Sequence, residues 1–408
     1  MMLNERKARH PWWSLGGKRK LRQVFRLEIR SMSFFRSLFK KSKSKPLEGA
    51  LRESVEQVIA RAYIDPYIGK DLVSGKAITH LGQCGDILQV HVELAYPGQK
   101  VSASMVDILT GALEQLNDFA QVEVSVNWNI RAHKGQREEV SRIKNIIAVS
   151  SGKGGVGKST TTTNLALALG AQGASVGILD ADLYGPSQPL LLGIPAGSTP
   201  QTRDMRFYAP MLAHGIKVMS MGVMVSEKTP MMWRGPVASE TIQQLMLQTL
   251  WGDLDYLLID MPPGTGDIHI TLAQTLSIAG AVVVTTPQDI ALRDVKKGIE
   301  MFTKVGVPII GVIENMATHT CSECGQEDHI FGRNGGNNIA REYDSELLGS
   351  LPLNMTIRQQ GDAGAPIVLV DPDAEVSLKY RDIALRMAVN VAQPGLITPL
   401  PNIKFVND

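Results

Sequence analysis

Cysteine is scarce, three in 408 residues, and too few for the disulfide framework on which small secreted folds depend. Aromatic residues reach only 5%. No run of about 18 apolar residues occurs, which excludes an ordinary membrane-spanning helix, and no apolar stretch with a small-residue cleavage site marks a secretory leader. A cytoplasmic protein is therefore expected. Charge of a single sign is also missing overall, since the formal net charge is +2. That balance conceals an asymmetry: residues 1–45 carry 14 Lys/Arg against 2 Asp/Glu, and the rest of the chain 28 against 38. An acidic body argues against sequence-independent nucleic-acid binding, so no specific nucleic-acid partner is expected. What is abundant is glycine, 38 residues, and length enough for two or three domains at roughly 150 residues each.

Residues 1–46 read as a basic, unstructured arm. Two readings of its first 31 residues stay open: a translated tail, or an upstream stretch preceding a true start at Met32. From Met32, Phe34, Phe35, Leu38 and Phe39 fall on one helical face with Arg36, Lys40 and Lys41 beside it. Such a face permits weak peripheral contact with an anionic membrane, although about two turns of it also suit a solvated tail. Over 47–130 the pattern becomes α-β-β-α-β, a small α+β domain. Leu51, Val55, Val58, Ile59 and Ala62 recur at helical spacing, and Asp65-Pro66 breaks that helix. Lys76–Leu81 and Ile87–Leu94 read as strands about a Gly82/Gly85 turn, Val101–Leu116 as a helix, and Val122, Val124 and Val126 as a strand. Cys84 falls at a strand start and reads as a small buried apolar residue. Residues 131–142 read as a linker.

From Ile143 short apolar runs alternate with amphipathic stretches. The runs are Ile146–Val149, Val176–Leu179, Val218–Met221, Tyr256–Ile259, Ala281–Thr285 and Ile309–Ile313. The fold class this predicts over 143–395 is α/β, a mostly parallel sheet with helices on both faces, and 396–408 form a tail. The first run leads into Gly152-Lys153-Gly154-Gly155-Val156-Gly157-Lys158-Ser159-Thr160 and then into a helix over Thr163–Leu169. This is the G-x-x-x-x-G-K-[ST] phosphate loop in its strand-to-helix setting. Glycines let backbone N–H groups close round a phosphate chain, and the helix N-terminus adds its dipole. Lys158 is placed for the β/γ-phosphates of ATP and the Ser159 hydroxyl for Mg²⁺. Asp180, Asp182 and Asp260 follow strand ends, where carboxylates sit beside such a phosphate site. Asp180 and Asp267 also suit a cap or turn.

Cys321-Ser322-Glu323-Cys324 lies in a loop after the last run. Two thiolates fall short of the four ligands that zinc or an iron–sulfur cluster takes. His319, Asp328 and His329 completing a zinc site in one chain is one solution. Two CxxC pairs facing each other across a two-fold axis is the other.

Taken together, Gly152–Ser159, Leu179–Ser187, Trp233–Pro236, Asp260–Asp267, Thr285–Asp289, Glu314–Met316 and the CxxC occur in the order of the Mrp/ApbC family of iron–sulfur cluster carriers. That resemblance covers about 143–395 densely and 47–130 more loosely. Lys153 makes the loop similar to the deviant P-loop of MinD, ParA and the nitrogenase iron protein. The resemblance implies a homodimer in which Lys153 crosses to the partner's nucleotide. It also implies that Asp260 holds Mg²⁺ through water, that Asp182 orients the attacking water with Asp180 in support, and that Asn315 reads adenine. Met261–Asp267 resembles the second switch loop. Cys321 and Cys324 would hold a [4Fe–4S] cluster destined for apo iron–sulfur proteins. A relative of the small domain with a cysteine after its second strand has no match here, since Tyr96–Lys100 contains none. Two other classes stay open: a MinD/ParA-like positioning switch on membrane or DNA without a cluster, and an electron-transfer reductase, which would need more widely spaced cysteines.

Overall fold

The computed structural model describes residues 44–133, 140, 142–204, 206–224 and 235–392. The arm up to residue 43, Trp233 and Arg234 of the Trp233–Pro236 stretch, and the tail beyond 392 lie outside the described residues. The expected arm boundary at 46 moves. Lys45–Pro46 form β1, paired antiparallel with Gln83 and Gly82, at a sheet edge where proline's missing N–H is tolerated. Next come α1 (Gly49–Ala62), β2 (Ile78–Cys84), β3 (Ile87–Leu94), α2 (Gln99–Glu114) and β4 (Gln121–Trp128). The sheet order is β1-β2-β3-β4, with β2/β3 antiparallel and β3/β4 parallel. The turn predicted at Gly82/Gly85 sits later, at Gly85 (φ +60°), because Gly82 and Cys84 pair within β2. Cys84 therefore closes a strand and is half-buried, correcting its expected place at a buried strand start.

Alternation along β3 buries Leu88, Val90, Val92 and Leu94 in one cluster with Val55 and Ile59 of α1 and Met105 and Leu109 of α2. Period-2 and period-3.6 stripes thus meet as the sequence pattern requires. The Asp65-Pro66 break is tied down by its own carboxylate: Oδ1 accepts from the N–H groups of Tyr67 and Ile68, and Oδ2 from the Tyr96 hydroxyl at 2.7 Å.

The second unit is an eight-stranded sheet. Its strands are β5 (Ile143–Ser150), β6 (Val176–Asp180), β7 (Met211–Ala213), β8 (Ile216–Ser220), β9 (Leu254–Asp260), β10 (Ile278–Thr285), β11 (Ile309–Glu314) and β12 (Leu347–Ser350). The order is β12-β11-β10-β5-β9-β6-β8-β7, parallel except for the edge strand β7. All six predicted runs are strands; β8 stops at Ser220, and Met221 opens a 3-10 turn. The edges β7 and β12 had no distinct apolar signal because edge strands are short and half-covered. Helices α3 (Lys158–Ala171), α4 (Gln188–Leu191), α5 (Gly235–Gln248), α6 (Asp267–Thr275), α7 (Asp289–Lys304), α8 (Gly335–Glu342), α9 (Met355–Asp362), α10 (Ile367–Val370) and α11 (Glu375–Ala392) complete it. Buried clusters on both faces, one around α3 and α11 and one around α5 and α6, explain why β5 and β9 read as unbroken apolar runs rather than alternating ones. No helix of the described residues is long and apolar enough to cross a membrane.

The expected linker is partly fastened. His133 N–H donates to Lys144 C=O at 2.8 Å, and the Asn145 amide to Arg131 C=O at 3.0 Å. The small unit also packs on the C-terminal end of α3. Gln99 and Lys100 N–H groups donate to the backbone and side-chain oxygens of Gln172, each at 3.2 Å, and Tyr67 OH donates to Asp382 at 3.1 Å.

Candidate functional site

Parallel strands place their following loops at one edge of the sheet, and every candidate residue of the second unit lies at that edge. The loop after β5 runs over Ser151–Gly157. Gly155 and Gly157 both have φ +81°, left-handed conformations that a Cβ disfavours and that turn successive N–H groups inward. At Gly152 the constraint is contact, since a Cβ would fall 2.4 Å from the Asp294 carbonyl carbon of α7. Lys153, Gly154 and Gly155 are exposed, whereas Val156 and Lys158 are buried. Lys153 has no ion-pair partner among the described residues. Ser159 and Thr160 are half-buried in the first turn of α3.

Lys158 is 6% exposed and forms an ion pair with Asp260, which is fully buried at the end of β9. Thr162 Oγ1 lies 3.2 Å from the same Asp260 oxygen, and Gln188 Nε2 donates to the other at 2.9 Å. Removing one partner from so buried a pair leaves an uncompensated charge. Asp180 ends the neighbouring strand β6 in register with Asp260. It accepts from Gln188 N–H at 3.2 Å, Ser220 Oγ at 3.0 Å and Asp182 N–H at 3.2 Å. Burial first, and the Asp260 carboxylate second, push Asp180 up to about 7. Asp182 is half-buried and caps its own loop by accepting from Gly185 N–H at 3.2 Å. Asp267 is exposed at the first position of α6.

The 261–266 segment is fastened to the phosphate loop by Met261 N–H to Val149 C=O and Gly264 N–H to Ser151 C=O, both 3.0 Å. Just beyond it His269 is buried edge-on to Phe302, and burial pushes it down to about 4 against the opposing pull of the Gly266 and Pro262 backbone. Asn315 follows β11 and lies under the loop, its amide donating to Val156 C=O at 2.8 Å. Its observed partner is thus the loop's own backbone.

The CxxC occupies the tip of a hairpin in which His319–Thr320 pair with Glu327–Asp328. Cys321 N–H donates to Gln326 C=O at 2.9 Å and Gly325 N–H returns to Cys321 C=O at 3.0 Å. Backbone N–H groups of Cys324 and Glu323 point at the Cys321 sulfur and lower its pKa, with the Cys324 side chain adding to them. Donors aimed at a thiolate favour the form that binds metal. Cys321 is half-buried, Cys324 exposed, and no disulfide joins them. The alternative single-chain zinc set is not assembled. The described residues hold no group of three or more His, Cys, Asp or Glu side chains placed for one metal ion, and His329 Nδ1 is 3.1 Å from Ala317 C=O.

The structure therefore brings Lys158, Ser159, Asp180, Asp182 and Asp260 together, sets Asn315 beneath them, and leaves Lys153, Cys321 and Cys324 at the surface. It adds Gln188, Thr162 and Ser220. Their roles are long-range contacts between residue types that carry no motif.

The family model described as NUBPL iron-transfer P-loop NTPase matches residues 142–388, and that described as iron-sulfur cluster assembly protein matches 52–126. The chain is 52% identical over 280 residues to an iron-sulfur cluster carrier protein of Pseudomonas fragi, covering 68% of this chain and 98% of that one. It is 44% identical over 352 residues to that of Escherichia coli strain K12, covering 86% and 95%. To the iron-sulfur cluster transfer protein NUBPL of Dictyostelium discoideum it is 46% identical over 245 residues, covering 60% and 76%. Among solved structures, a nucleotide-binding protein in complex with ADP from Archaeoglobus fulgidus is 39% identical, covers 56% of this chain and 89% of its own, and superposes with a TM-score of 0.49. With its phosphate loop, its acidic strand ends and a family match across most of its length, this chain belongs to the NUBPL iron-transfer P-loop NTPases.

Proposed function

We propose that the protein is an ATP-hydrolysing carrier that takes up a [4Fe–4S] cluster as cargo and passes it to apo iron–sulfur proteins in the cytoplasm, working as a homodimer. The observation that carries this is the pairing, on one sheet edge, of a formed phosphate loop with two thiols at a hairpin tip, Cys324 exposed and Cys321 half-buried and held toward its thiolate by backbone donors. Two thiolates per chain leave a cluster two ligands short. A two-fold axis through facing hairpins supplies the other two.

The oxygen donors Ser159 and Asp260 suit Mg²⁺, a hard cation, which when bound neutralises charge on the β/γ-phosphates. The chain's own groups divide the remaining work. The glycine-rich loop wraps the phosphates. Lys158 leaves Asp260 to meet the transferring phosphoryl group, where charge accumulates. Asp182, in a loop that Asp180 and Gln188 anchor, orients the water that attacks the γ-phosphorus as ADP departs. Lys153, exposed and without an ion-pair partner among the described residues, reaches the partner's nucleotide, and Asn315 bears on the adenine side of the loop.

The test is elemental. Iron and sulfide are measured per dimer after anaerobic reconstitution. Four of each are expected in the wild type and in Cys84→Ala, and none stably held in Cys321→Ala or Cys324→Ala, with ATP binding intact in all four. A full cluster in Cys321→Ala, or stoichiometric zinc in the native protein, overturns the bridging arrangement.

A further inference from the structure

Gln188 has no part in the chemistry assigned above, and no motif contains it. Yet it is fully buried at the foot of the loop bearing Asp182, and every polar group it presents to the site is engaged. Its Nε2 donates to Asp260 Oδ2 at 2.9 Å and to Ser159 C=O at 3.1 Å. Its Oε1 lies 2.7 Å from Thr163 Oγ1. Its backbone N–H donates to Asp180 Oδ2 at 3.2 Å. One residue thus joins both acidic strand ends, the first turn of the phosphate-loop helix and the segment Asp182–Ser187.

We propose that Gln188 is a positioning residue that clasps Asp260 in its metal-holding orientation and couples the Asp182 loop to it. This rests on reading Asp260 as the Mg²⁺ carboxylate. Two features of the geometry carry it. First, among the described residues Asp260 has one cationic partner, Lys158, and Lys158 is the group that nucleotide recruits. Once it leaves, the donors remaining to Asp260 are neutral: Thr162 on Oδ1 and Gln188 on Oδ2. Gln188 then fixes the carboxylate's rotation and leaves Oδ1 to face the phosphate loop. Second, α4 begins at Gln188 itself. Any displacement of the loop between Asp182 and Ser187 pulls on the residue that holds Asp260. Position of the attacking water and position of the cation are thereby linked through a single amide, as outer-shell hydrogen bonds link ligands elsewhere.

The experiment is a Mg²⁺ titration of steady-state ATP hydrolysis at saturating ATP, in the full chain, for the wild type, Gln188→Met, Thr163→Val and Asp260→Asn. Met preserves volume and removes the donors. Gln188→Met should raise the Mg²⁺ concentration for half-maximal activity about tenfold, within the range by which lost outer-shell partners weaken metal sites. Nucleotide affinity measured without Mg²⁺ should stay within about twofold, because no phosphate contact is removed. Thr163→Val leaves the amide but frees its oxygen. It should move the curve in the same direction by about threefold, and it decides the matter if Gln188→Met does not fold. A lowered melting temperature with an unmoved Mg²⁺ curve means that Gln188 is only structural and overturns the proposal. Should Asp260→Asn also leave the curve unmoved, the metal reading of Asp260 fails and the clasp with it. If Asp260→Asn moves it and Gln188→Met does not, the clasp alone is wrong.

Discussion

The phosphate-loop pocket and the thiol hairpin share one edge of one sheet and are built on opposite plans. In the pocket Lys158, Asp180 and Asp260 are buried; Lys158 pairs with Asp260, and each carboxylate is held by several partners. At the hairpin Cys324 is exposed and the contacts of Cys321 come from its own turn. A buried charge must be neutralised within the chain that buries it, and the Lys158–Asp260 pair is satisfied in this way. A surface pair of thiols, one exposed and one half-buried, needs no such completion. Lys153 belongs with the hairpin in this respect: it is in the phosphate loop but exposed, and no acid among the described residues pairs with it.

The contrast breaks first at Lys158. Lys158→Ala is expected to lower ATP turnover by at least about 100-fold, because the charge lost lies where transition-state charge develops. It should also destabilise the fold by about 3–5 kcal/mol, the cost of leaving Asp260 buried and unpaired. Turnover and a urea melt check both, and turnover within about twofold of wild type would show that this loop is not the catalytic one.

Lys153→Ala sharpens the same contrast. It should cut turnover about 10- to 100-fold, as loss of a charge contributed across an interface does. Because Lys153 is exposed, stability and nucleotide binding should stay close to wild type. A melt shifted as far as that of Lys158→Ala would place Lys153 in the pocket of its own chain.

Burial also gives the pocket a pH signature of its own. With Asp180 pushed up to about 7, the folded protein keeps a proton between about pH 4 and 7 that the unfolded chain has released, so its contribution to stability falls as pH rises through that window. His269, pushed down to about 4, acts in the opposite sense: its contribution is complete above about pH 6.5 and is lost as pH falls toward 4. Asp180→Asn should therefore gain stability relative to wild type at pH 8 compared with pH 5, and His269→Leu should flatten the acid side. Parallel melting curves across pH for wild type and both variants would contradict the burial argument.

The smallest effect is a control lying in neither site. Gly173 has φ +91°, and a Cβ there would fall 2.6 Å from the Trp128 ring of the small unit. Gly173→Ala should cost about 1–3 kcal/mol through backbone strain, read in a melt, while turnover and cluster content stay unchanged.

Much of the larger unit was legible because parallel strands covered on both faces announce themselves as apolar runs, and because a phosphate loop needs its glycines, lysine and hydroxyl in a fixed order. The small unit was legible through its alternation, except at its edges. There Lys45–Pro46 pair over only two residues, and Gly82 looks like a turn although it continues a strand. The hairpin carrying the CxxC was visible only as a loop, since its two-residue strands are set by backbone pairing and not by an apolar pattern.

The sequence by itself determined the local chemistry: which loop wraps phosphate, which aspartates end strands, and where two thiols stand three positions apart. Those are matters of spacing along the chain, and spacing survives without a fold. Tertiary structure alone decided which of these groups are buried together. Asp260 meets Lys158, Thr162 and Gln188 only because β9 lies beside β5 and β6 in the sheet, and Asn315 reaches Val156 from 159 residues away. Hydrogen-bond partners, and the desolvation that raises Asp180 and lowers His269, depend on which atoms surround a group in space, and linear order does not contain that information.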